Sequence, residues 1–167
     1  MNPFLIVRHG ARPMLAHELN NVGRQEAKEL GDRIKELLPD THSQTYLCFG
    51  DTPYGGFYAN SETAEIVGEI LGVNAVREPI FVADPYHRPI PDERKEQMAA
   101  HFEEKQIQGP FLCVTSDSII SAIAPYVDKK YNFDVGLEIE FVQFASGFLF
   151  DFEKNDVLYL PPGYSIK

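Results

Sequence analysis

Arg8, His9 and Gly10 follow directly on four apolar residues in the stretch FLIVRHGARP, residues 4 to 13. A guanidinium and an imidazole at a strand end can face an anionic ligand, because ligands of open α/β sheets collect at the carboxyl ends of the strands. A solvent-exposed Arg-His pair is the plainer reading, and the tripeptide alone does not choose between the two. A second strand end of the same kind falls at Thr115-Ser116-Asp117, after the run FLCV. Other polar side chains sit in the three-proline segment ADPYHRPIPDE, which reads as an irregular surface loop. Tyr54, Phe57 and Tyr58 lie in a loop marked by Pro53 and Gly55-Gly56, as lid or packing aromatics. His17 and His42 read as solvated, and His101 as lying on the solvated face of a helix. Cys48 and Cys113 lack metal-ligand spacing and sit inside apolar runs, so they read as buried reduced thiols.

The elements around these residues follow from periodicity. Phe4 to Val7 form a short continuous apolar run, the mark of a strand covered on both faces. Strands are expected near 3–8, 45–49 and 110–115, with a short one near VREPIFV. Val22, Ala27, Leu30, Ile34, Leu37 and Leu38 recur at helical spacing behind Asn20 or Asn21 as cap, and Pro39 ends that helix. SETAEIVGEILG reads as a second helix with Ser61 as cap and Gly72 as terminator. Helices near 92–106 and 117–127 complete the set. The remainder, LEIEFVQFASGFLFDFEKNDVLYLPP, alternates and turns at Ser146-Gly147 and Lys154-Asn155, which predicts antiparallel strands added to the sheet. Strand, turn and helix in this order predict an α/β three-layer sandwich: a mainly parallel central sheet, helices on both faces and a C-terminal antiparallel hairpin.

The 167 residues are the size of one domain, 1–167, and large enough to bury a continuous core. A formal net charge of −10 argues against a broad electrostatic grip on nucleic acid or anionic lipid, so any anion site must be local. No apolar run approaches membrane-spanning length, and the expectation is a soluble, cytoplasmic protein. Composition does not specify an oligomeric state.

The order of signals resembles the histidine phosphatase superfamily, with its phosphoglycerate-mutase-like fold. The resemblance rests on Arg8-His9-Gly10 after the first strand, LNNVGRQEAKELG, SETAEIVGEIL, the strand and turn of FLCVTSDSII, and FASGFLFDFE, and it covers nearly the whole chain. It implies hydrolysis of a phosphomonoester, with His9 as the nucleophile that carries the phosphoryl group, Arg8 as a phosphate ligand and Arg12 as a further one. The substrate would be a phosphorylated small molecule or a phosphoprotein, and no metal or organic cofactor is implied. Such chemistry consists mostly of positioning and charge neutralisation, which suits arginines around a phosphate.

Two departures from the family pattern stand out. Ala59 occupies the place of a family arginine, four residues before Thr63. The second family histidine is absent: in one alignment Asp117 replaces it, and in the other Ser116 does, with Asp117 matching the family's proton donor. His87 and Arg88 could contact substrate, and Asp92 or Glu93 could supply an alternative acid; polar surface is the plainer reading of all four. A degenerate, non-catalytic member that binds a phosphate ligand or regulates is the rival to hydrolysis, and mutase activity is disfavoured by the two missing clamps.

Overall fold

The computed structural model describes residues 1–12, 18–50, 58–83 and 89–162. Near the middle of its sheet lies β1 (Phe4–Arg8), whose first four residues are all buried. Phe4 and Ile6 enter one apolar layer, and Leu5 and Val7 enter the other. Burial on both faces is why the sequence shows an unbroken apolar run here and no alternation. β2 (Tyr46–Phe49), β3 (Ala75–Arg77) and β4 (Phe111–Thr115) join it in parallel pairings. β5 (Gly147–Asp151) and β6 (Asp156–Leu160) form an antiparallel hairpin on its other side, giving the order β3-β2-β4-β1-β5-β6.

Helices α1 (Asn21–Leu37) and α2 (Ala59–Leu71) cover the Leu5/Val7 face. Helices α3 (Asp92–Lys105) and α4 (Asp117–Lys130) cover the Phe4/Ile6 face. The three-layer α/β sandwich with a C-terminal hairpin is therefore present as expected. Phe4 is the hub of the second layer: it stacks on Phe102 with ring centroids 4.4 Å apart and also touches Phe111 and Phe150. Cys48 and Cys113 are register partners on β2 and β4, fully buried and free. Among the described residues no helix is long and apolar enough to cross a membrane.

Local signals decide the helix ends. Asn20 caps α1, its Oδ1 accepting from the Gly23 amide at 2.7 Å. Ser61 does not cap α2, which starts two residues earlier; its hydroxyl donates instead to the Tyr58 carbonyl. Val22 lies half-exposed, outside the buried stripe of α1. His101 is not solvated: it packs edge-on against Phe81 and Phe111 and lies 3.2 Å from Glu78.

The alternating stretch before β5 forms no strand. Both ladder positions beside β5 are taken, by β1 and β6. The carboxylate of Asp128, buried in α4, draws in the amides of Val135 and Leu137 instead, at 3.2 and 3.1 Å.

Candidate active site

β1 and β4 are adjacent and parallel, in a register that pairs Arg8 with Thr115. The chain leaves β1 for α1 on one face and leaves β4 for α4 on the other. Neighbouring strands whose helices depart to opposite faces leave a crevice at their carboxyl ends, and this is where α/β sheets hold ligands. Arg8, His9, Ser116 and Asp117 all fall at that crevice.

The His9 backbone is fixed on both sides, its amide donating to the Thr115 carbonyl at 3.3 Å and its carbonyl accepting from the Ala145 amide at 3.0 Å. Its side chain is buried, with Nδ1 2.7 Å from the Gly10 carbonyl. A carbonyl only accepts, so Nδ1 carries the proton and Nε2 keeps its lone pair. Burial pushes the imidazole pKa down to about 4. The Gly10 carbonyl and Asp117 oppose that shift, and the charges of Arg8 and Arg12 add to it. The ring is therefore neutral at physiological pH.

Gly10 fixes the turn that follows. A Cβ at this position would overlap the backbone carbonyl of Gly23, and one at Gly23 would overlap that of Ala11, so the turn and the start of α1 interlock backbone to backbone. The Gly10 amide donates to the Thr63 hydroxyl at 3.0 Å, which in turn donates to the Ala59 carbonyl at 2.7 Å. The Ala11 amide donates to Glu26 at 2.7 Å. Two helices thus hold the carbonyl that orients His9.

Arg8 is enclosed on several sides. Nη1 donates to the Val142 carbonyl at 2.5 Å, and Nη2 lies 3.7 Å from Oδ2 of Asp117. Cζ lies 4.1 Å from the ring centre of Phe144 and 5.0 Å from that of Phe141. Nε is buried and meets no acceptor among the described residues. Desolvation lowers the Arg8 pKa, Asp117 raises it, and Arg12 lowers it again. An arginine keeps its charge nonetheless.

Asp117 opens α4, with Oδ1 accepting from the Ser118 amide at 2.9 Å. Ser116 stands at the N-cap position, but its hydroxyl faces that of Ser118 at 3.0 Å and makes no capping bond. The charge of Arg12 acts on both Arg8 and His9. Asp92, exposed at the start of α3, is paired with Lys95 at 2.8 Å. Glu62 accepts from the Leu19 amide and pairs with Arg24, tying α2 to the start of α1. His17, Tyr54, Phe57, His87 and Arg88 lie outside the described residues.

Thr63 and Phe144 belong to this site, and reasoning from residue types passed over their parts in it. Both stand inside stretches that carry the family resemblance, SETAEIVGEIL and FASGFLFDFE. Among the described residues no group of three His, Cys, Asp or Glu side chains is arranged to hold a metal.

No family model matches the chain, and no curated protein does. Solved structures match it in fold. The native structure of a mycobacterial glucosyl-3-phosphoglycerate phosphatase is 13% identical, with 99% of this chain and 100% of that one covered and a TM-score of 0.64. A structure of that phosphatase with inorganic phosphate is 14% identical over 99% of this chain and 98% of that one, again at 0.64. A phosphoglycerate mutase from Plasmodium falciparum is 14% identical over 97% and 90%, at 0.53. With its sheet order, its helix layers and the likeness running almost end to end, the chain has the fold of these phosphatases and of the mutase.

Proposed function

We propose that this protein hydrolyses phosphomonoesters through a phosphohistidine on His9. The observation that carries the reading is the state of that ring: neutral, buried at the crevice, Nδ1–H committed to the Gly10 carbonyl and Nε2 left as a nucleophile. Nε2 attacks phosphorus, the P–O bond to the alcohol breaks, and the alkoxide takes a proton. Water then cleaves the P–N bond, releasing phosphate and restoring neutral His9. Arg8, whose buried Nε–H meets no acceptor among the described residues, and Arg12 neutralise the phosphoryl oxygens. Ser116 borders the phosphate, and Asp117 is the proton donor. His87 and Arg88 are assigned to the substrate loop.

The chain acts as one domain, in the cytoplasm, on a phosphorylated small molecule or a phosphoprotein, with no metal or cofactor. Two buried free thiols and a charge of −10 support that setting and disfavour nucleic acid and anionic membranes. A second reading, a binding module without turnover, draws support from Ala59 in the place of an arginine and from Asp117 already paired with Arg8.

The test is phosphomonoester turnover over a pH range, with His9→Ala as control and rapid acid-free quenching to trap phosphate on nitrogen. Turnover and an acid-labile phosphoprotein, both lost in His9→Ala, are expected. Identical background rates in the two proteins would favour the binding module.

A further inference from the structure

We infer that the phosphoester taken at this site is an aryl one, with an aromatic ring carried directly on the ester oxygen, and that Phe141 and Phe144 receive that ring. The inference rests on the phosphoester reading above and narrows it.

Phe144 lies 4.1 Å from Arg8 Cζ and its ring is 5.5 Å from that of His9. Phe141 lies 5.0 Å from the same Cζ, yet it is 64% exposed. A phenylalanine left that open does little for the core, and this one is held at the rim of the crevice where His9 and Arg8 meet. Its backbone is pinned around it: the Val142 side chain is buried, the Val142 carbonyl binds Arg8, and the Ser146 hydroxyl donates to the Gln143 carbonyl at 2.7 Å. The free face of the ring is therefore presented in a fixed place beside the phosphoryl position. An aryl ester puts its own ring within reach of that face, whereas a small alkyl ester leaves Phe141 in water. Ring pairs of this kind prefer offset or edge-to-face contact with centroids about 4.5–7 Å apart.

The leaving group agrees with this. The second family histidine is missing, and the carboxylate in its neighbourhood is paired with Arg8. A phenol with a pKa of about 10 departs with far less proton assistance than an alkyl alcohol, which resembles water at about 15.7. In the step proposed, the His9 Nε2–P bond forms as the P–O(aryl) bond breaks, and the phenolate leaves with the electron pair, its proton coming afterwards from Asp117 or water, whereas an alkoxide needs that proton as it departs.

Binding of phenylphosphonate and methylphosphonate, neither of which can be hydrolysed, separates the ring from the phosphate. Calorimetry on the whole chain should show phenylphosphonate bound about fivefold more tightly. Phe141→Ala, an exposed substitution that the fold should tolerate, should bring the two within twofold. Equal affinities in the parent protein overturn this inference alone, as does a preference that survives both Phe141→Ala and Phe144→Leu. Failure of both phosphonates and of inorganic phosphate to bind overturns the phosphoester reading and this one with it. A phosphotyrosine peptide and adenosine 5′-monophosphate complete the series. The peptide should bind with the phenyl preference intact; a nucleotide that outbinds it, with its ring one sugar away, would count against direct aryl recognition.

Discussion

Arg8 and Asp117 face each other across the crevice with Nη2 and Oδ2 3.7 Å apart, one at the end of β1 and the other at the start of α4. An anion entering the site meets the cation it needs already shared with a carboxylate. Opposite charges about 4 Å apart interact by about 4 kcal/mol at an effective dielectric of about 20. Asp117 is 40% exposed, and screening brings the term closer to about 1 kcal/mol.

Asp117→Asn should therefore strengthen binding of inorganic phosphate about fivefold, read by calorimetry. In the part proposed for it as proton donor, Asp117 should also be needed more by alkyl esters than by esters with good leaving groups, so the substitution should slow the former selectively. Unchanged affinity together with unchanged turnover would remove Asp117 from the site.

The pH dependence of stability follows from His9. Its folded pKa, about 4, lies below the ordinary value of 6.5, so between those limits the unfolded chain binds a proton that the folded one refuses. Stability should be insensitive to this group above pH 6.5, fall as pH drops toward 4, and lose about 3 kcal/mol in all. Urea midpoints of the parent and of His9→Gln at pH 7 and 4.5 test this; the variant should lose clearly less over that span. The His9 ring resonance should titrate near pH 4 in the folded protein.

Gly10→Ala drives a Cβ into the Gly23 carbonyl, and backbone on both sides leaves little room to yield. A destabilisation of about 3 kcal/mol or more is expected, with activity lost in whatever remains folded. Circular dichroism melts report the first effect and single-turnover assays the second.

Thr63→Val keeps the shape but leaves the Gly10 amide without its acceptor. A cost of about 1–3 kcal/mol is expected. Because the same turn carries the carbonyl that orients Nδ1, kcat should fall more than KM rises. A stability loss with unchanged kcat would reduce Thr63 to a purely structural part.

The sheet was legible because its central strands are buried on both faces, so that Phe4 to Val7 and Phe111 to Val114 announce themselves as apolar runs. The crevice was legible for the same reason, since Arg8 directly follows one such run and Thr115-Ser116-Asp117 follow the other. The 137–142 stretch misled because alternation states which side chains want burial and not whether a neighbouring strand is vacant. Leu137 and Ile139 do pack on the core, but the phase slips between them and buried Val142, whose carbonyl Arg8 holds. His101 was misplaced although a signal existed: with Met98, Phe102 and Lys105 it completes an i, i+3, i+4, i+7 stripe. What no pattern could give is the partner of Gly10, because a hydroxyl 53 residues away becomes an acceptor only once α2 has docked.

The facing thiols of Cys48 and Cys113 turn the core beneath α3 and α4 into its own clock. They sit at facing positions on two inner strands with no exposure to solvent, and burial holds the Cys48 thiol well above the usual thiol range. Both side chains lie in the layer under α3 and α4, so a thiol-labelling reagent reaches them only when that layer opens, and its rate in native buffer counts those openings. Added phosphate slows that clock by as much as it binds the closed form in preference to the open one, so ligand affinity becomes measurable with no assay of turnover.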